Sequence, residues 1–197
     1  MRKIITTTML TLDGVMQAPG ASKEDTAEGF KYGGWQVGWD EEADAITDRI
    51  QAKPFDLLLG RLTYEIFAGY WPRHSDEPHW GKAYDRAKKY VVSHKPIDLS
   101  WDNSELITGD AVEEIKKLKN TDGPDLWMWG SSNLIQTLLK NNLIDRMYLW
   151  IFPVTIGTGK KLFAEGTRPE RFKVVDSKIL SSGLIFAAYE PAGPLNE

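Results

Sequence analysis

The sequence predicts an α/β layered domain with a mostly parallel central sheet and an antiparallel edge. Three observations predict it. Short apolar, β-prone runs alternate with amphipathic helical stretches along most of the chain. Two of those runs, 55–59 and 126–129, are apolar apart from Asp56 and each is followed by a glycine, as expected of strands buried on both faces. At the C-terminal end, two further runs flank Ser181-Ser182-Gly183, which signals a hairpin.

The elements follow in order. Residues 3–12, β-branched and apolar, form the first strand. The opening Met1-Arg2-Lys3 could start a signal peptide, but threonines interrupt the apolar run and Asp13 ends it. Residues 40–51 form a helix with Asp40 as N-cap, Glu41 and Glu42 in the first turn, and Ala43, Ile46 and Ile50 on its apolar side. A strand at 55–59 leads through Gly60 into a helix at 62–68. A weak helix at 83–88 precedes a strand at 89–93, and a short strand is expected at 106–108. Val112, Ile115 and Leu118 make 111–119 an amphipathic helix. The strand 126–129 passes through Gly130 into a helix at 134–140, and a long strand follows at 145–154. Runs 172–180 and 184–189 close the chain as the hairpin. The segments 17–39 and 71–79, rich in Gly, Pro or polar residues, read as working loops.

Composition narrows the function. At 197 residues the chain suits a single domain, 1–197. A net charge of −4, with no Lys/Arg block, speaks against a nucleic-acid partner. With no cysteine, a thiolate zinc site, an iron–sulfur cluster and a cysteine nucleophile are excluded, and three histidines make a histidine-rich metal site an unpromising idea. No apolar run reaches the roughly 18 residues that span a bilayer, so a cytoplasmic protein with no membrane partner is expected.

Two places share one design: a buried strand, a glycine, then a helix start. They are Leu59-Gly60-Arg61-Leu62-Thr63 and Trp129-Gly130-Ser131-Ser132-Asn133. Glycine allows close backbone approach, and a helix start offers free N–H groups and partial positive charge, which suit phosphate. A single such turn is more often a plain connection; two in one small domain balance the readings. Neither matches a Walker loop or the dinucleotide fingerprint Gly-x-Gly-x-x-Gly.

These residues carry a resemblance. Gly60-Arg61-Leu62-Thr63-Tyr64-Glu65 after an apolar strand resembles the Gly-Arg-x-Thr-aromatic-Glu motif of dihydrofolate reductases. Tyr90-Val91-Val92-Ser93 resembles that family's next strand, and Trp129-Gly130-Ser131-Ser132 stands where the family has its Gly-Gly-Gly turn. Thr11-Leu12-Asp13-Gly14-Val15, the segment 143–149 and the segment Pro153 to Phe163 resemble the reductase domain of the bifunctional riboflavin-biosynthesis deaminase-reductases. The deaminase half has no counterpart here.

The resemblance implies a dihydrofolate-reductase-like three-layer domain with about eight strands, and NADPH as cofactor. Carried over by position, Gly60, Arg61 and Thr63 meet the cofactor, with Arg61 facing its 2′-phosphate. Ser93, His94 and Lys95 lie on the adenosine side, and Gly130, Ser131, Ser132 and Leu134 line the pyrophosphate turn. Two serines in place of two glycines add hydrogen-bonding groups but limit backbone approach.

For the proton donor, Asp44 is the candidate on the first helix, at the border of its apolar side; the competing reading is a solvated carboxylate. Asp13 reads equally as a turn residue before Gly14 or as a loop residue beside the nicotinamide. Trp35 and Trp39, in a Gly-rich loop, stack on a flat substrate or anchor the loop. Lys160 is a candidate for an anionic substrate group, against a solvated turn lysine. Trp127 and Trp129 read as core, and His74 and His79 have no partner nearby in sequence.

The resulting expectation is an NADPH-dependent reductase of a small heterocyclic substrate, similar to the pyrimidine reductase step of riboflavin biosynthesis. True dihydrofolate reductase and a non-catalytic nucleotide-binding homodimer are the alternatives. A homodimer is expected through strand 145–154, where Tyr148, Trp150 and Phe152 on one face and Leu149 and Ile151 on the other leave both faces apolar.

Overall fold

Alternation of side chains along β-strands sets the layers. In the computed structural model, which describes residues 1–195, Leu57 and Leu59 of strand β2 (Phe55–Gly60) fall in one hydrophobic cluster and Leu58 in the other. In β5 (Asp125–Trp129), Trp127 and Trp129 separate from Leu126 and Met128 in the same way. Both faces of the sheet are therefore buried at these central strands, which is why they read as apolar runs interrupted only by Asp56 and Asp125 near their starts.

Eight strands form one sheet in the order β4-β3-β2-β5-β1-β6-β8-β7. The remaining strands are β1 (Ile4–Thr11), β3 (Lys89–Val92), β4 (Ser104–Ile107), β6 (Arg146–Phe152), β7 (Glu170–Ile179) and β8 (Ile185–Pro194). β1 to β6 pair in parallel, and β8 joins β6 and β7 antiparallel. Five helices connect them: α1 (Glu41–Ile50), α2 (Arg61–Tyr70), α3 (Gly81–Arg86), α4 (Ala111–Lys119) and α5 (Ser132–Lys140). Residues of α1, α2 and α3, among them Ile46, Tyr64 and Tyr84, join the cluster containing Trp129. Ile115 of α4 and Leu134, Ile135 and Leu138 of α5 join the other. This is the predicted α/β fold.

Local physics places several boundaries. Asp40 caps α1 as expected, its Oδ1 accepting from the Ala43 N–H at 3.0 Å. Asp110 caps α4 through the Glu113 N–H at 3.0 Å. Helix α3 lies two residues earlier than predicted, because Ala87 is extended and Lys89 already donates its N–H to Asn103 in the β3–β4 pairing. The hairpin closes as expected, with Leu180 N–H on the Leu184 carbonyl at 2.9 Å. Arg2 belongs to the fold: it is 3% exposed and its guanidinium pairs with Asp56. Asn196 and Glu197, the end of the predicted single domain, lie outside the described residues.

The expected dimer contact on 145–154 is corrected by the topology. β6 is internal, flanked by β1 and β8, and Trp150 and Phe152 are fully buried within their own chain. The strand is apolar on both faces because its own chain covers most of both faces, so that pattern does not call for a second copy. No helix among the described residues is long and apolar enough to cross a membrane.

Candidate functional site

The strand order reverses around β1: β2 to β4 lie on one side, β5 returns between β2 and β1, and β6 adds on the other side. Ligand sites in such sheets open beyond the C-terminal strand ends at this switch. A cleft of about 1230 Å³ opens there, lined by the ends of β1, β2, β3 and β5 together with the long loops. That exceeds the ~300–1,000 Å³ of a typical single-ligand pocket, leaving room for two ligands side by side.

The two glycine turns meet in this cleft because β2 and β5 are neighbours. They are tied together directly. The Gly60 N–H donates to Ser131 Oγ at 2.9 Å, and the Ser131 N–H donates to Thr63 Oγ1 at 2.9 Å. Ser131 is left-handed at φ 46°, ψ 44°, after Gly130 at φ 52°, and a Cβ at Gly130 would stand 3.1 Å from Thr63 Oγ1. This explains serine where a glycine is expected: its side chain is spent on the neighbouring turn. Neither helix start has a side-chain cap, so the first N–H groups of α2 and α5 are available to an anion. The residues present thus fit a dinucleotide's phosphates.

On the rim, Arg61 starts α2 and its Nη1 donates to both carboxylate oxygens of Glu65 at 2.8 and 3.0 Å. Ser93 is buried; its hydroxyl donates to the Lys95 carbonyl at 2.8 Å and accepts the Lys95 N–H at 3.1 Å, shaping the turn that leaves His94 and Lys95 exposed. Gly60, Arg61, Thr63, Ser93, His94, Lys95, Gly130, Ser131, Ser132 and Leu134 all line the cleft. The hydroxyls of Thr63, Ser93 and Ser131 act by shaping backbone turns.

The substrate-side expectations divide. Asp44 lines the cleft, its Oδ1 accepting the Trp39 indole N–H at 2.8 Å. Trp39 lines it too, packed on Trp150 and Trp80 with ring centres 4.7 and 5.8 Å away. Two assignments, Asp13 and Trp35, are corrected. Asp13 is outside the cleft lining and clamps a loop, accepting from the Thr11 hydroxyl at 2.6 Å and the N–H groups of Ile156 and Gly157 at 3.1 and 2.6 Å. These bonds hold its carboxyl down at about 2. Trp35 is 8% exposed, donates its indole N–H to the Gln17 carbonyl at 2.7 Å and packs edge-on against Phe152, so it anchors the loop. Lys160 lines the cleft, but its amine is paired with Asp25 at 2.5 Å, which offsets the charge it would offer an anion.

Other groups were hidden from the sequence. His79, at φ 71°, brings Nδ1 to 2.6 Å from Asp48 and Nε2 to 3.8 Å from Asp44, partners 31 and 35 positions upstream. The Asp48 contact and the nearby carboxylates push its imidazole pKa up. Glu77 lines the cleft with one carboxyl oxygen buried and unpartnered, and burial pushes its pKa up. The 71–79 segment lacks periodicity, so only its polar and Pro-rich character marked it. Trp129, read as core, is core and cleft wall at once. No cluster of three metal-ligating side chains occurs among the described residues.

Comparison with known proteins agrees with this architecture. Residues 2–186 match the family model described as the RibD C-terminal domain, and the chain belongs to that family. It is 33% identical to the uncharacterized protein YyaP of Bacillus subtilis (strain 168) over 137 residues, 68% of this chain and 72% of that protein. The uncharacterized protein YwjB of the same organism is 25% identical over 122 residues, 62% of this chain and 66% of its own length. Among solved structures, a putative riboflavin biosynthesis protein from Shewanella sp. PV-4 superposes with a TM-score of 0.63 at 22% identity, covering 96% of this chain and 98% of that one. Dihydrofolate reductase from Enterococcus faecalis, complexed with NADP(H), gives 0.60 at 14% identity with 96% of both chains covered. These two likenesses show the dihydrofolate-reductase-like fold.

Proposed function

We propose that this protein is an NADPH-dependent reductase of a small, flat heterocyclic substrate, with a pyrimidine of the riboflavin-biosynthesis type as the nearest substrate class. The observation that carries the reading is the pair of uncapped helix starts, locked together through Gly60, Thr63 and Ser131, at the head of a cleft large enough for two ligands. NADPH bound there supplies a hydride. The chain's own part is to hold the pyrophosphate on the first N–H groups of α2 and α5, and to meet the 2′-phosphate with Arg61, helped by His94 and Lys95. The aromatic walls further in hold the acceptor ring and exclude water.

Thermal unfolding with NADPH, and with NADH alongside, tests this. At ~100-fold excess over the dissociation constant, binding adds roughly 2.7 kcal/mol, an upward shift of roughly 5–10 °C for a domain of this size. A shift with NADPH well above that with NADH supports the reading; no shift with either overturns it. NADPH oxidation with a ribosylaminopyrimidine but not with dihydrofolate separates it from a folate reductase.

The reading includes a homodimer, now placed along β7. This edge strand exposes Val174, Val175 and Ile179, which a second copy would cover. Light scattering should give a dimer mass for the wild type and a monomer for Ile179→Lys; a wild-type monomer overturns this placement.

A further inference from the structure

Three buried polar groups lining the cleft have no hydrogen-bond partner within the protein. Thr7 is fully buried and its hydroxyl is unpartnered; Trp129 is 7% exposed and its indole N–H is unpartnered; Glu77 has one carboxyl oxygen in the same condition. Each such group costs its desolvation, and of the unpartnered buried groups among the described residues, which also include Thr47, Gln51, Trp101, Trp150 and Ser182, these three line the cleft. Thr7 and Trp129 are register partners on the parallel strands β1 and β5, so their side chains leave the sheet from one face. Trp80 and Tyr84 pack against Trp129 on that face, with ring centres 4.9 and 6.0 Å away. Glu77 lines the same cleft from the loop that leads, three residues on, into Trp80. Asp44 already has one oxygen taken by Trp39 and the other facing His79, whose Nδ1 is held by Asp48. Of these carboxyls, Glu77 is the one with a buried oxygen left without a partner.

We propose that Glu77, with Trp129 and Thr7 of the same cleft, forms the recognition site for the substrate ring: a planar nitrogen heterocycle carrying N–H groups on the edge toward Glu77 and an acceptor on the edge toward the sheet. Indole N–H can only donate, which fixes an acceptor there, whereas the threonine hydroxyl adapts. A carboxyl asks for N–H groups, and the aromatic walls ask for a flat partner. The inference rests on the reductase reading for what the ring undergoes, and on these unpartnered groups for where it is held. It moves the ring-reading carboxyl from α1 to the loop before α3.

Isocytosine, a single ring with amino and ring N–H groups beside a carbonyl, is the probe, and quenching of tryptophan fluorescence in the full-length protein is the readout. Saturable binding is expected with and without NADPH. Glu77→Gln should weaken it about tenfold or more, Trp129→Phe about fivefold, and Asp44→Asn less than threefold. Glu77→Met should raise the melting temperature, because it replaces an unpaired buried carboxyl, while removing isocytosine binding. An unchanged affinity in Glu77→Gln, or a larger loss in Asp44→Asn than in Glu77→Gln, overturns the proposal. So does the absence of isocytosine binding by a wild-type protein that NADPH stabilises. If NADPH does not stabilise the protein yet isocytosine binding follows the expected variant order, the ring site stands and the reductase reading fails.

Discussion

Replacing Ser131 by alanine and by glycine separates two opposing terms at the cofactor turn. The hydroxyl accepts the part-buried Gly60 N–H at 2.9 Å and lies 3.1 Å from Thr63 Oγ1. Alanine removes that acceptor, and an orphaned donor costs about 1–3 kcal/mol. Alanine also keeps a Cβ in the left-handed region, where a non-glycine residue stores roughly 1–2 kcal/mol of strain. Glycine loses the same hydrogen bond but releases the strain. Ser131→Ala is therefore expected to lose about 1–3 kcal/mol, and Ser131→Gly about 0–1 kcal/mol. Urea unfolding at constant slope measures both, and for a domain of this size the alanine variant should melt roughly 2–12 °C lower. Thermal shifts with NADPH on the same variants then report whether the turn still presents its N–H groups. If the glycine variant is as unstable as the alanine variant, the strain argument fails. If alanine costs nothing, the link between the two turns contributes no stability and the reasoning is wrong.

Arg61→Ala should reduce preference for NADPH over NADH by roughly 10–100-fold, the worth of a charge-assisted hydrogen bond, with stability nearly unchanged because Glu65 is an exposed intrahelical partner; equal losses for both nucleotides would remove Arg61 from the 2′-phosphate. Asp13→Asn should lower the melting temperature at pH 7 and leave turnover intact. The native carboxyl is held at about 2, below its ordinary 3.8, so its contribution is present above pH 3.8 and disappears as pH falls through about 2, where wild type and variant should converge; a collapse of turnover in a folded variant would restore Asp13 to catalysis. Lys89, fully buried with its amine on the carbonyls of Asp85 and Asp102 and 4.1 Å from the Trp101 ring centre, is pushed by burial to about 8 from 10.5. The unfolded chain then binds more protons between pH 8 and 10.5, so this group makes stability rise with pH across that window, by at most roughly 1.4 kcal/mol per pH unit. Urea midpoints from pH 7.5 to 9.5 should rise less steeply in Lys89→Met, and parallel slopes would refute the assignment.

What the sequence determined by itself was everything set by local pattern. Apolar runs ending in glycine fixed β2 and β5, Asp40 fixed the start of α1, the spacing of Val112, Ile115 and Leu118 fixed α4, and Ser181-Ser182-Gly183 fixed the hairpin, because periodicity, caps and turns act over a few residues. The glycine turns were visible for the same reason, since strand, glycine and helix start are contiguous. Tertiary structure alone decided what depends on neighbours far apart in sequence. It made β6 internal, sent Asp13 and Trp35 to loop clamps, and set Lys160 against Asp25 across 135 positions. It also brought Thr7, Glu77 and Trp129 to one cleft with no partners of their own. Hydrogen bonding is satisfied or denied by proximity in space: residues 7 and 129 become neighbours only when the β-sheet orders its strands, and residue 77 reaches their cleft only when the loop before α3 folds over it.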